Sequence, residues 1–156
     1  MTLFLVRHAQ AGSRKAHDGD DRDRRLTAEG RHQAADIAGL LVDFGVTRVL
    51  TSPYRRCIET VAPAAAALGF EVELDERLAE GPADGAIALA RSLARSGAVL
   101  CSHGDIIPAI LAVVDREDAV ELGREPRCQK GSIWVLEPDP GLPGRFSTAL
   151  YVPSMR

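Results

Sequence analysis

Apolar and polar positions along the chain switch period in a regular order. Leu3 to Val6 is continuously apolar, the pattern of a strand buried on both faces of a parallel sheet. After a polar stretch, Ala34, Ile37, Ala38, Leu41 and Phe44 recur at helical spacing, with Thr27 placed to cap the start and Gly45 to stop the end. "TRVLTS" is then a short strand, and "SPYRRCIETVAPAAAALG" a helix with Ser52 at the N-cap, Pro53 at N1 and Gly69 beyond its end. Pro63 is expected to kink or divide that helix. There follow a strand "FEVEL", a loop "DERLAEGPADG", a helix "AIALARSLARSG", an apolar strand "AVLCS", a helix from about Asp105 to Val114, and a linker through Pro126. "GSIWVLEPD" and "RFSTALYV" around "PGLPG" predict an antiparallel hairpin. The alternation predicts an α/β fold: a three-layer sandwich whose mostly parallel central sheet is flanked by helices and closed by a C-terminal antiparallel edge hairpin.

A length of 156 residues fits one domain over residues 1–156. A net charge of −3 gives no overall pull toward nucleic acid or an anionic membrane. Lys15 and Lys130 are the only lysines, so the positive charge is nearly all arginine, which grips phosphate or carboxylate with two parallel donors. Cys57, Cys101 and Cys128 are odd in number and lack C-x-x-C spacing, so they read as reduced thiols of a cytoplasmic protein. The opening apolar run is too short for a signal peptide, and no stretch approaches membrane-spanning length.

Ligands in open α/β sheets bind beyond the carboxyl ends of the parallel strands. Three predicted strand ends deliver polar groups there: Arg7-His8, Ser52, and Ser102-His103. The helix after the second strand adds free N–H groups and a positive dipole end, with Arg55 and Arg56 in its first turn. Arginine beside a helix N-terminus points to a phosphate.

"LVRHAQ", "TSPYRRCIET", "RLAE" and "CSHGD" stand in the order and spacing of the histidine phosphatase superfamily, which includes the phosphoglycerate mutases, and the chain resembles that family from residue 3 to about 115. Its short length is similar to the phosphohistidine-phosphatase branch and to phosphatase modules that some bacteria fuse to Nudix hydrolases. The resemblance implies that His8 is the nucleophile and forms a phosphohistidine, that Arg7 and His103 hold the phosphoryl oxygens, and that the second arginine is Arg56. It places the acid/base carboxylate at Glu80 and turns Arg24, in "RRLT", toward substrate. The chemistry is consistent with those roles. A neutral imidazole is nucleophilic at cellular pH if its other nitrogen is held by an acceptor, and phosphoryl transfer asks mainly for positioning and charge on the equatorial oxygens. No metal or cofactor is required.

Other polar residues read as structural. Arg55 belongs to the surface or rim, Glu59 is a plain helix residue, and His17 and His32 are solvated. Asp18, Asp20 and Glu29 are spaced like calcium ligands, but Arg22 and Asp23 stand where a ligand and the obligatory glycine belong. Zinc on Cys101, His103 and Cys128 would require the linker to fold back. The family usually has glycine where this chain has Ala9, and a positive φ there would cost alanine about 1 kcal/mol. The expected activity is a metal-independent phosphatase, with a protein phosphohistidine as first substrate and a small phosphoester or nucleotide phosphate as second. Mutase activity fits less well, because no large insertion between the motifs is there to enclose a bisphosphate. A phosphate-binding regulatory module that no longer catalyses is the rival of a different class. Oligomeric state is not readable, although the hairpin near Trp134 offers a dimer contact.

Overall fold

The computed structural model describes residues 1–122 and 126–156; residues 123–125 of the expected linker lie outside the described residues. Strands β1 (Leu3–Arg7), β2 (Arg48–Thr51), β3 (Val72–Leu74) and β4 (Ala98–Ser102) are connected by helices α1 (Ala28–Leu41), α2 (Arg55–Leu68) and α3 (Asp84–Ser92). Helix α4 (Ile106–Asp118) leads on to the hairpin strands β5 (Ile133–Pro138) and β6 (Phe146–Val152). The six strands form one sheet in the order β3-β2-β4-β1-β5-β6. The first four are parallel, β5 runs antiparallel to β1, and β6 antiparallel to β5.

The unbroken apolar run of β1 follows from having both faces covered. Leu3 and Leu5 pack with Leu50 and Leu100 against Ala86, Leu89, Ile107 and Leu111 of α3 and α4. Phe4 and Val6, one residue out of phase, pack with Val49 and Val99 against Ile37 and Leu41 of α1 and Val61, Ala64 and Ala65 of α2. Each fully buried large aliphatic side chain contributes about 1.5–3 kcal/mol. The resulting rigid sheet holds its carboxyl edge in place.

Several boundaries differ from the expectation. Helix α2 begins at Arg55 with Tyr54 as its cap, not Ser52, because the Ser52 hydroxyl is engaged with His103 while it accepts the Tyr54 N–H. The helix runs undivided through Pro63. Pro63 is solvent-exposed while Val61, Ala64 and Ala65 are buried, so the lost hydrogen bond lies on the outer side and burial holds the inner one. Helix α4 continues four residues past Val114 to Asp118. There the buried Asp118 carboxylate accepts hydrogen bonds from Arg91, Arg145 and the Phe146 N–H. Within the loop expected after β3, Glu76–Leu78 forms a 3-10 turn. Trp134 itself is buried: its ring packs against Tyr151 and its indole N–H donates to the Arg127 carbonyl, while the sheet edge of the hairpin is β6.

Candidate active site

The register of β1 against β4 pairs Arg7 with Ser102, so His8 and His103 emerge side by side from the carboxyl edge. Backbone bonds extend the sheet one step further, from His8 N–H to the Ser102 carbonyl and from Ser52 N–H to the Cys101 carbonyl. The two imidazoles are edge to face with ring centres 5.4 Å apart. His8 is only 5% exposed and His103 1%.

His8 Nδ1 lies 2.8 Å from the Ala9 carbonyl oxygen. A carbonyl only accepts, so the proton sits on Nδ1 and the lone pair on Nε2. Burial, with the Arg56 and Arg7 charges adding to it against the Ala9 hydrogen bond, lowers the His8 pKa to about 3. His103 is lowered to about 3 as well, first by burial and then by His8 and Arg56. Both rings are neutral at neutral pH. Arg56, fully buried, donates to Glu80 Oε1 at 2.7 Å and to the Asp21 carbonyl at 3.0 Å, and pairs with the Asp21 carboxylate at 3.2 Å. Arg7 Nη1 donates to the Cys128 carbonyl, and its guanidinium lies over Gly104, where a Cβ would come within 2.7 Å of Nη2. Among the described residues, three buried side-chain nitrogens have no hydrogen-bond partner: Arg7 Nε, Arg56 Nε and His103 Nδ1. Unpaired buried donors are costly and rare, and all three belong to side chains clustered around His8.

Arg7, His8, Arg56, Glu80 and Arg24 line one cleft of about 700 Å³. His103 lies just behind its wall, with Nδ1 3.5 Å from Glu80 Oε1. Among the described residues, the contacts to Glu80 from Arg56, Arg14 and His103 all fall on Oε1. Arg24 reaches the cleft but is committed elsewhere: its guanidinium donates to the Asp21 carboxylate and the Gly12 carbonyl. Arg55 belongs to a separate depression, His32 is exposed, and the His17 Nε2–H donates to the Asp20 carbonyl. Glu59 is more than a plain helix residue, since it accepts the Leu26 N–H and ties the segment before α1 to α2. Ala9 has no positive φ; its side chain packs with Leu26 and Ala34, so alanine fits without strain.

Sequence reading missed Asp21, whose carboxylate is shared by Arg14, Arg24 and Arg56. It also missed Thr60, which accepts the Ala9 N–H and donates to the Arg56 carbonyl, and Lys130 in the cleft wall. Thr60 lies one turn after Arg56 on the same helix, a position that by itself gives no sign of the Ala9 contact. For the other two, distance along the chain hid the link.

A family model described as histidine phosphatase superfamily (branch 1) matches residues 3–88. An 8-oxo-(d)GTP phosphatase of Mycolicibacterium smegmatis is 33% identical over 141 residues, 86% of this chain and 44% of that protein. A probable phosphoglycerate mutase GpmB of Shigella dysenteriae is 32% identical over 82 residues, 51% of this chain and 38% of that one. The chain thus spans less than half the length of these curated relatives. Among solved structures, the protein histidine phosphatase SixA complexed with tungstate superposes with a TM-score of 0.78 at 21% identity, over 97% of this chain and 96% of that chain, a likeness of fold.

Proposed function

The chain belongs to the histidine phosphatase superfamily, branch 1, and from that premise we propose that it is a metal-independent phosphatase, folded as one domain over residues 1–156, in which His8 carries the phosphoryl group. The observation that carries this reading is the set of unpartnered buried donors on Arg7, Arg56 and His103 around an imidazole whose proton is fixed on Nδ1. Three N–H groups without partners match the three equatorial oxygens of a phosphoryl group in transfer. His103 supplies its Nδ1–H when Ser52, 2.8 Å from Nε2, donates its hydroxyl proton to that nitrogen.

The His8 Nε2 lone pair attacks phosphorus in line, a P–N bond forms, and the bond to the leaving group breaks. Glu80 gives its proton to the departing atom through Oε2, the oxygen to which no hydrogen bond is made among the described residues. Water then attacks the phosphohistidine, its proton returns to Glu80, and the electron pair of the P–N bond returns to Nε2. General acid assistance of this kind contributes about 10²–10⁴-fold.

A protein phosphohistidine suits this site because the P–N bond is labile and the cleft is open to solvent. A nucleotide phosphate is the second reading, and the 33% identity to an 8-oxo-(d)GTP phosphatase favours it. The deciding assay is turnover of para-nitrophenyl phosphate in EDTA by wild type and His8→Ala. The expected outcome is EDTA-resistant activity that falls at least about 10³-fold in the variant. Equal turnover overturns the assignment, loss with EDTA points to a metallohydrolase, and phosphate binding without turnover points to a regulatory module.

A further inference from the structure

The phosphoryl position is served by Arg7, Arg56 and His103, yet the same cleft holds another cation with no evident task. Lys130 lines the wall alongside Arg7 and His8. Its neighbouring charges are Arg7, Arg24, Arg56 and Arg14, and those like charges, after burial, lower its pKa. The arginines around it are already compensated in part: Arg56 by Glu80 and Asp21, Arg24 by Asp21, Arg14 by both. Lys130 makes no salt bridge among the described residues.

Its placement is built rather than incidental. The next residue, Gly131, donates its N–H to the carbonyls of both Arg7 and His8, which fixes the lysine backbone beside the nucleophile. Gly131 has φ +78°, and a Cβ there would lie 3.1 Å from the Gln33 side chain, so the turn requires glycine. Gln33 completes the clamp: its amide donates to the Lys130 carbonyl and its Oε1 accepts the Gln10 N–H. A rigid backbone thus presents a solvent-exposed ammonium at the wall of a cleft where Arg7, Arg14, Arg24 and Arg56 outnumber the carboxylates of Glu80 and Asp105, a setting that favours an anion beside it.

We infer that Lys130 forms a second anion subsite beside the phosphoryl position, so that the preferred substrate class is a phosphoanhydride, in which a further phosphate follows the one transferred. This rests on the phosphatase reading and selects within it, because a phosphohistidine on a peptide carries no fixed second phosphate. The chemistry balances. His8 Nε2 attacks the terminal phosphorus, the bond to the bridging oxygen breaks, and its electron pair leaves with the second phosphate, whose charge Lys130 holds. Water then releases the terminal phosphoryl group as inorganic phosphate and frees Nε2.

Binding can be measured apart from turnover in the His8→Ala protein by calorimetry, with inorganic pyrophosphate and orthophosphate as probes at low salt. The expected outcome is pyrophosphate bound about tenfold more tightly than orthophosphate, with that ratio falling to near one in His8→Ala/Lys130→Gln and persisting in His8→Ala/Lys130→Arg. A ratio near one in the parent, or one that Lys130→Gln does not reduce, overturns the inference. Para-nitrophenyl phosphate turnover separates the two levels. If wild type turns it over through His8 but the ratio is flat, the subsite fails and the phosphatase stands; if the ratio holds without such turnover, the subsite stands and the phosphatase fails.

Discussion

Space is the deciding quantity at position 104. The Arg7 guanidinium occupies the volume that an alanine methyl would take, and the displaced group is the far end of a flexible side chain. Gly104→Ala is therefore expected to leave the melting temperature nearly unchanged while kcat/KM for para-nitrophenyl phosphate falls about 10²-fold, the cost of misplacing a binding group by about 1 Å. Paired thermal unfolding and kinetics test this, and a large loss of stability with normal kinetics would contradict it. In the proposed role of Glu80 as proton donor, Glu80→Gln keeps the volume and the link to Arg56 but cannot pass on a proton. Its expected effect is a fall in kcat of about 10²–10⁴-fold on a poor leaving group and a much smaller one on a good leaving group, read from a series of aryl phosphates. That Arg7, His8, Arg56 and His103 would gather at one end of the sheet was legible in the string of residues, because polar groups at strand and helix ends are a local property. Thr60 was not, because a threonine in mid-helix looks the same whether its hydroxyl serves its own helix or, as here, also takes the Ala9 N–H from across the fold.

Between elements, single polar side chains fix helices to the sheet. Thr60 joins α2 to the segment that follows β1, and Thr60→Val would leave the buried Ala9 N–H unpaired at a cost of about 1–3 kcal/mol, measurable by urea unfolding. Asp118 joins the end of α4 to Arg91 of α3 and to Phe146 of β6. Asp118→Ala removes the main carboxylate partner of Arg91 and Arg145, which are 20% and 40% exposed and keep Glu117 and the Gly144 carbonyl as partners, so the loss should be about 2–3 kcal/mol, below the 3–5 kcal/mol of a fully buried pair. The strand β4, Ala98–Ser102, was readable to the residue because a short apolar run between glycine and histidine has few alternatives. The start of α2 was not, because Ser52 has the right chemistry for a cap and is used for His103 instead.

For the whole molecule, burying two neutral histidines couples the site to stability. Both folded pKa values, about 3, lie below the unfolded 6.5, so between those limits the unfolded chain binds more protons than the folded one. Stability must then fall as pH drops below 6.5, by up to about 1.4 kcal/mol per pH unit for each histidine. Urea unfolding at pH 7.5, 6 and 5 should show this decline, and His8→Asn should make it shallower; an unchanged slope would show that burial at position 8 does not disfavour protonation. Sequence by itself determined the layers and the family, since periodicity and motif residues are written locally. Only the tertiary structure decided which groups meet. The strand order β3-β2-β4-β1 places β4 beside β1 and so His103 beside His8, across 95 residues (103 − 8). Lys130 reaches the cleft through a turn hydrogen-bonded to the carbonyls of Arg7 and His8, and Asp21 joins Arg14 and Arg24 of its own connection to Arg56 of α2. Charge neighbours and burial are properties of the packed chain, and no local pattern encodes them.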